Sequence, residues 1–85
     1  MTLIKLIQVQ TKKGWNHKYQ RSESPIYTVE VLHNESSVVE ICFRRSTTLN
    51  GRKCPDRFLS AYVADGLNEF EIKTLVELEK WFNNQ

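Results

Sequence analysis

The chain has few residues that would cross-link a small protein or carry it into a membrane. Its 85 residues include two cysteines, Cys42 and Cys54. A disulfide framework normally needs more cysteines and a secreted context, so we expect two reduced thiols. The apolar N-terminal stretch is interrupted by Lys5, lacks the cleavage site of a signal peptide, and falls far short of the roughly 20 apolar residues of a membrane span. We therefore expect a soluble, cytoplasmic protein.

The length leaves little room for an internal site. A chain of 85 residues forms one domain, and domains this small bury only roughly 60–65% of their unfolded surface. A large enclosed substrate pocket is hard to fit inside such a core. The hydrophobic content of 40% is nevertheless sufficient for an ordered globule. We therefore predict a single domain over residues 1–85 with its site on the surface.

Charge is the property that is present in excess, and it is unevenly distributed. Residues 1–57 carry ten Lys and Arg against five acids, a net charge of +5, whereas residues 58–85 carry a net charge of −3. The overall charge of +2 hides this division. A basic body with an acidic tail indicates an anionic partner, and nucleic acid is the commonest such partner.

Three segments have the composition or alternation of β-strands. Residues 3–10 are apolar and β-branched enough to predict a first strand. Residues 26–33 and 38–45 alternate with period two, which predicts two half-buried strands joined by a short turn. The apolar faces of these two strands consist of Tyr27, Val29 and Val31 in the first and Val39, Ile41 and Phe43 in the second.

Asn50-Gly51 is the strongest hairpin signal in the chain, because both residues tolerate the positive φ of a type I′ turn. A two-residue loop there pairs Leu49 with Arg52 and Phe43 with Phe58. The better apolar alternation downstream is instead that of Leu59, Ala61 and Val63. The two patterns differ by one residue, which inverts a strand face. We therefore predict a bulge or break near 54–56; an unbroken strand would turn Tyr62 towards the core.

Residues 68–84 are predicted to form a C-terminal helix. Asn68 is a suitable N-cap, with Glu71 three residues later as in a capping box. The predicted core stripe consists of Ile72, Leu75, Val76, Leu78 and Phe82. Phe70 and Trp81 lie off that stripe on a second line. They form a candidate protein interface, or alternatively pack against the sheet edge or a loop.

These elements predict an α+β fold: a small antiparallel sheet of about four strands, built from hairpins, with the C-terminal helix packed on one face. The other face is left open to solvent or a partner. The element order resembles that of the positive-cofactor-4-like fold of single-stranded-DNA-binding proteins, which also places a curved antiparallel sheet before a C-terminal helix and pairs helices in a dimer. The segments that carry the resemblance are VVEICFRR (38–45), NGRKCPDR (50–57), RFLSAYV (57–63) and NEFEIKTLVELEKWF (68–82).

Residues 11–25 are polar, contain Gly14 and end at Pro25, which predicts a mobile basic loop. Residues 11–21 of this segment combine cations with aromatic rings, namely Lys12, Lys13, Trp15, Lys18, Tyr19 and Arg21. Cations neutralise phosphates and flat rings stack on bases, the combination that binds single-stranded nucleic acid. The alternative is a solvated loop whose Trp15 packs into the edge of the core.

A second group of cations follows the predicted Asn50-Gly51 hairpin. Its members are Arg44, Arg45, Arg52, Lys53 and Arg57. A basic two-stranded ribbon can lie in a nucleic-acid groove or along a phosphate backbone. The alternative is that these charges only keep a protruding hairpin soluble.

The candidate ligands for a metal are scattered. His17, His33, Cys42 and Cys54 occur singly, whereas a zinc site usually contains a closely spaced pair. No phosphate-binding glycine motif is present. We expect no metal, no cofactor and no catalytic residue, although a small nuclease that uses His17 for acid–base cleavage of RNA remains an alternative.

The sequence therefore favours a small non-enzymatic module that binds nucleic acid, preferably single-stranded, through a basic sheet face, the loop and the hairpin. The alternative is a protein-interaction module, such as a phage or mobile-element inhibitor that binds an acidic surface of a host protein. A membrane partner is not expected. A homodimer is compatible with either function.

Overall fold

The computed structural model describes residues 2–22, 27–44, 47–49, 51–54 and 56–85. For residues 19–22, 47–49 and 52–54 the description covers the backbone alone. The elements in chain order are α1 (Leu3–Lys12), β1 (Asn16–Ser22), β2 (Tyr27–His33), β3 (Ser37–Arg44), β4 (Thr47–Leu49), β5 (Arg52–Cys54), β6 (Arg57–Asp65), β7 (Asn68–Ile72) and α2 (Leu75–Asn83).

Five of the strands form one antiparallel sheet in the order β1-β2-β3-β6-β7. Strands β4 and β5 pair with each other as a separate two-stranded ribbon, inserted between β3 and β6. The predicted α+β class, with hairpin-built antiparallel strands and a C-terminal helix against the sheet, is confirmed. The sheet has one strand more than expected, and a second helix precedes it.

That first helix corrects the prediction of a strand over residues 3–10. Leu3, Leu6 and Gln10 are the buried residues of α1, and their spacing of three and four places them on one helical face. The Thr2 side chain caps the helix by accepting the Lys5 N–H at 3.2 Å. The apolar, β-branched composition was therefore misleading, because a 3.6-residue period in so short a segment resembles a buried strand.

The prediction of a mobile loop over 11–25 is wrong for most of its described part. Residues Asn16–Ser22 form β1, an edge strand that pairs with β2. An irregularity between His17 and Tyr19 leaves Lys18 as an extra residue. Edge strands tolerate charge and bulges because one side meets solvent, so polarity did not exclude a strand here. Residues 23–26 lie outside the described part of the chain.

The faces of β3 are as predicted, but those of β2 are inverted. The register sets Leu32 opposite Val39, Glu30 opposite Ile41 and Thr28 opposite Phe43. Since paired residues share a face, Glu30 and Leu32 lie on the helix-covered side and Val29 and Val31 on the other. Alternation could not reveal this, because Thr28–Leu32 are buried on both faces.

The one-residue conflict around the second hairpin is resolved by a bulge. Leu49 pairs with Arg52 and Phe43 with Phe58, as the hairpin predicts. Cys42 pairs with Ser60, so Leu59 is the extra residue, and Ala61 and Val63 enter the core. Tyr62 consequently remains exposed. A break near 54–56 is also present, because β5 ends at Cys54 and β6 begins at Arg57.

The C-terminal helix is shorter than predicted. Asn68 does not cap it but begins β7, which turns back from β6 through Gly66 and Leu67, with Gly66 at φ +62°. The helix begins at Leu75, where the Thr74 side chain accepts the Glu77 N–H at 3.2 Å. Thr74-x-x-Glu77 is itself a capping-box pattern. The predicted core stripe is wrong at Val76, because that side chain is exposed.

Both helices contribute to a core that lies on one face of the sheet. Its buried members are Leu3, Leu6, Trp15, Leu32, Val39, Ile41, Phe43, Ala61, Val63, Ile72, Leu78 and Phe82. The opposite face carries no helix among the described residues, as the predicted architecture requires. A two-layer domain of this kind presents one side of its sheet to the surroundings.

The two candidate starts of the C-terminal helix predict different mutational effects. Thr74→Ala removes the observed cap and is expected to lower the free energy of unfolding by about 1 kcal/mol. Asn68→Ala, the matched control at the sequence-predicted cap, should change it by less than about 0.5 kcal/mol. Urea unfolding followed by circular dichroism measures both. A larger loss in Asn68→Ala than in Thr74→Ala would contradict the observed helix boundary.

Candidate nucleic-acid interface

The sheet face opposite the helices, called here the open face, is the candidate functional surface. Register places alternate residues of β2, β3, β6 and β7 on it, among them Val31, Glu40, Cys42, Arg44 and Tyr62. Cys42, paired with Val29 and Ser60 on this face, is a free thiol, as expected from the small number of cysteines. The charged residues on this face are of both signs, and the basic ones are separated from the acidic ones. This separation determines what the face can bind.

A basic row crosses the open face at the end from which the β4–β5 ribbon emerges. Tyr27 pairs with Arg44 in the neighbouring strand, and Arg44 pairs with Arg57 in the next. Like charges directly opposite each other in a sheet are destabilising. Asp56, the acid beside Arg57 in sequence, makes an interaction within the protein. This end of the sheet therefore concentrates two guanidinium groups on adjacent strands.

Arg44 also carries an unsatisfied donor. Its Nε is buried, and no hydrogen-bond partner for it occurs among the described residues. A buried N–H without an acceptor costs about 1–3 kcal/mol, and more when the group is charged. The remaining members of the predicted hairpin patch cannot be placed: Arg45 lies outside the described residues, as do the side chains of Arg52 and Lys53 in β5.

The β6–β7 side of the open face is acidic instead. Tyr62 lies directly between Glu40 of β3 and Glu71 of β7. A hydrogen bond to Glu69 raises the pKa of Tyr62, and desolvation and the negative charges of Glu69 and Glu40 raise it further. A polyanion extended across the whole sheet would meet these carboxylates. The predicted basic sheet face is therefore limited to the Arg44–Arg57 row and its neighbourhood.

Lys12 and Lys13 of the predicted basic loop lie at the other end of the sheet from the Arg44–Arg57 row. Lys12 ends α1 and Lys13 caps it, both exposed. The chain then enters β1 at Asn16, opposite His33, at the far end of the sheet from the Tyr27–Arg44 pair. Lysines in the last turn suit the negative end of the helix dipole, which accounts for them without a ligand.

Trp15 is part of the core, so the alternative reading of that residue is confirmed. It is 8% exposed, and its ring centroid lies 5.9 Å from that of Trp81 and 5.1 Å from that of Phe82. A ring enclosed in this way cannot stack on a base. The side chains of Tyr19 and Arg21 lie outside the described residues, and Lys18 is exposed at the β1 bulge.

The predicted protein interface of Phe70 and Trp81 is an internal contact. Their ring centroids are 6.4 Å apart, and Trp81 packs in turn on Trp15 and Phe82. Trp81 is half-buried against the core, while Phe70 keeps an exposed edge. The alternative of packing within the protein therefore applies to this pair. Phe70 joins β7 to the aromatic cluster that holds α2 in place.

A part-buried polar pair that no sequence pattern predicts lies at the β1–β2 edge. The Glu30 carboxylate is hydrogen-bonded to His17 Nε2 on the helix-covered side of the sheet. Glu30 is buried, so the contact offsets part of its desolvation. The alternation of residues 26–33 predicts that Glu30 lies on the polar face of the strand, so it does not indicate this pair. No cluster of three His, Cys, Asp or Glu side chains suited to a metal ion occurs in the described ranges.

A shallow groove lies on the open face at the β2–β3 turn end, away from the basic row. Its volume is about 300 Å³, and Lys18, Val31, His33, Asn34, Val38 and Glu40 line it. One cation, one carboxylate and two valines give it no dominant chemistry. The groove therefore identifies no ligand.

No protein family, curated protein or solved structure matches this chain. Neither α1 nor α2, the helices of the described residues, has the length and hydropathy that a membrane crossing requires. The arguments for a function consequently rest on the open face itself.

The Tyr62–Glu69 contact predicts an alkaline titration. The pKa of Tyr62 lies above its ordinary value of 10.0, because the folded state holds the phenolic proton more tightly than the unfolded chain. This contribution to stability is complete below pH 10 and is lost as pH rises through the folded-state pKa. Glu69→Gln should move the Tyr62 pKa back towards 10.0, as measured by tyrosinate absorbance after subtraction of the Tyr62→Phe curve.

Glu71→Gln is the matched control for that titration. Glu71 is the direct cross-strand partner of Tyr62 but is not a cause of its raised pKa. The Tyr62 titration should therefore change less in this variant than in Glu69→Gln. Equal shifts in the two variants would show that the general acidity of the face, and not the hydrogen bond, sets the pKa.

Proposed function

We propose that this protein is a non-enzymatic module that binds nucleic acid through phosphate contacts at the Arg44–Arg57 end of its open face. The observation that carries the proposal is the pairing of two arginines, Arg44 and Arg57, on adjacent strands. A phosphate bound between the two guanidinium groups relieves their mutual repulsion. Guanidinium forks bind phosphate oxygens in pairs, which favours arginine at such positions.

Charge on the rest of the face restricts the path of the ligand. Glu40, Glu69 and Glu71 surround Tyr62 on the β6–β7 side, so a polyanion is repelled there. The favourable path runs along the end of the sheet, past Arg44 and Arg57 and towards the β4–β5 ribbon. Arg52 and Lys53 belong to that ribbon by sequence, and their positive charge favours the same path.

A protein-interaction module is the second candidate, and the exposed apolar residues of the open face favour it. Val38 and Tyr62 are 40% and 44% exposed, with carboxylates beside Tyr62. A partner that presents apolar and basic groups would suit that part of the face. This candidate requires no affinity for nucleic acid, which separates it from the first.

The first test is fluorescence anisotropy of labelled nucleic acid titrated with the protein at several salt concentrations. Arg44→Gln/Arg57→Gln should weaken binding by roughly tenfold for each lost charged hydrogen bond. The slope of log K against log salt should fall by about 1.4, since each phosphate contact on a single strand contributes about 0.7.

Lys12→Gln/Lys13→Gln is the matched control, because it removes the same charge from exposed positions outside the proposed site. It should leave the salt slope unchanged. Equal losses in the two double variants would mean that overall charge, not the arginine row, governs binding. An absence of binding to wild type at low salt would reject the nucleic-acid function and leave the protein partner as the leading candidate.

A further inference from the structure

We propose that Tyr27 is a base-stacking residue, and that the site consequently selects single-stranded over duplex nucleic acid. The inference rests on the proposed phosphate site at Arg44 and Arg57. It adds an aromatic platform that neither Trp15 nor the C-terminal aromatic pair supplies. The class of ligand it specifies is a single strand with an accessible base, DNA or RNA.

The register places Tyr27 next to the two arginines. Tyr27 lies opposite Arg44, and Arg44 lies opposite Arg57, so the three residues form one row across β2, β3 and β6. Directly opposed residues on a sheet face have Cβ atoms about 4.5–5.5 Å apart. The complete row therefore spans about 10 Å. One nucleotide can reach from a base on the tyrosine to a phosphate on an arginine.

Exposure and a cationic cross-strand partner together distinguish Tyr27 from the other described aromatic residues. Tyr27 is 42% exposed, and it also makes an interaction within the protein. Trp15 is enclosed in the core, and Phe70 lies on the helix-covered side against Trp81. Tyr62 is comparably exposed at 44%, but Glu40 and Glu69 lie beside it. Tyr27 is thus the exposed ring in the described residues whose cross-strand partner is a cation, Arg44.

Stacking on Tyr27 requires a free base face. In a duplex each base is covered above and below by its neighbours, so the ring has nothing to stack on without unpairing. In a single strand the bases can be splayed onto aromatic side chains, a contact that tolerates any base. The arginines alone would bind phosphates of either form. The tyrosine is therefore the residue that separates the two.

The test compares Tyr27→Leu with Tyr62→Leu, two variants that remove equally exposed rings from the same face. The probes are oligothymidylate and oligouridylate of about 12 nucleotides and a DNA duplex of the same length, followed by anisotropy at fixed salt. Tyr27→Leu should lose about 5- to 150-fold in affinity for the single strands with little change for the duplex and no change in the salt slope. Tyr27→Trp should retain the single-strand preference, and Tyr62→Leu should behave as wild type.

Each result has a distinct meaning. A Tyr27→Leu variant that is folded by circular dichroism and binds single strands as wild type does would overturn the stacking role, while the phosphate site stands if Arg44→Gln/Arg57→Gln still weakens binding. Equal losses for single strand and duplex would overturn the selectivity. A loss in Tyr62→Leu as large as that in Tyr27→Leu would move the platform to the acidic side of the face and also overturn the proposal.

Discussion

The register between β2 and β3 determines which side chains reach each face of the sheet. The Asn34 side chain fixes it at the turn, where Oδ1 accepts the N–H groups of Ser36 and Ser37 at 3.0 and 2.8 Å. The Ser37 hydroxyl then donates to Asp65 at 2.6 Å, which joins the turn to β6. A shift of one residue would exchange the faces of β2 relative to β3 and separate Tyr27 from Arg44. Both the core and the proposed site therefore depend on this turn.

The same register explains how a weakly basic protein contains a strongly basic site. Arg44 and Arg57 meet at one end of the sheet, whereas Glu40 and Glu71 flank Tyr62 nearer the other. Acidic and basic residues that are interspersed along the sequence are thereby separated on a single face. In the proposed mode of binding, repulsion from the carboxylates excludes alternative paths for the polyanion.

Local patterns predicted the parts of the fold that local interactions determine. The alternation of β3, the pairing of Leu49 with Arg52 and the core positions of Leu78 and Phe82 follow from period or turn chemistry. The faces of β2 do not, because Glu30 occupies a covered position with His17 as its partner, and only the sheet shows this. Trp15 illustrates the same limit: an aromatic residue among lysines indicates a stacking site, but its contact with Phe82 depends on how α1 and α2 pack. Of the candidate site, the sequence identified Arg44 and Arg57, while Tyr27 as their neighbour required the register.

The distribution of aromatic residues follows from the small size of the domain. Trp15, Trp81, Phe82 and Phe70 form one connected cluster that joins the end of α1, the C-terminal helix and β7. A chain of this length buries a limited area, so its largest rings are needed to hold both helices against the sheet. That requirement leaves the open face with tyrosines, whose hydroxyl groups tolerate water where a tryptophan or phenylalanine would expose more apolar surface. A stacking residue in such a domain is consequently expected on the face of the sheet that carries no helix. Tyr27 is the described tyrosine of that face that lies opposite an arginine, Arg44.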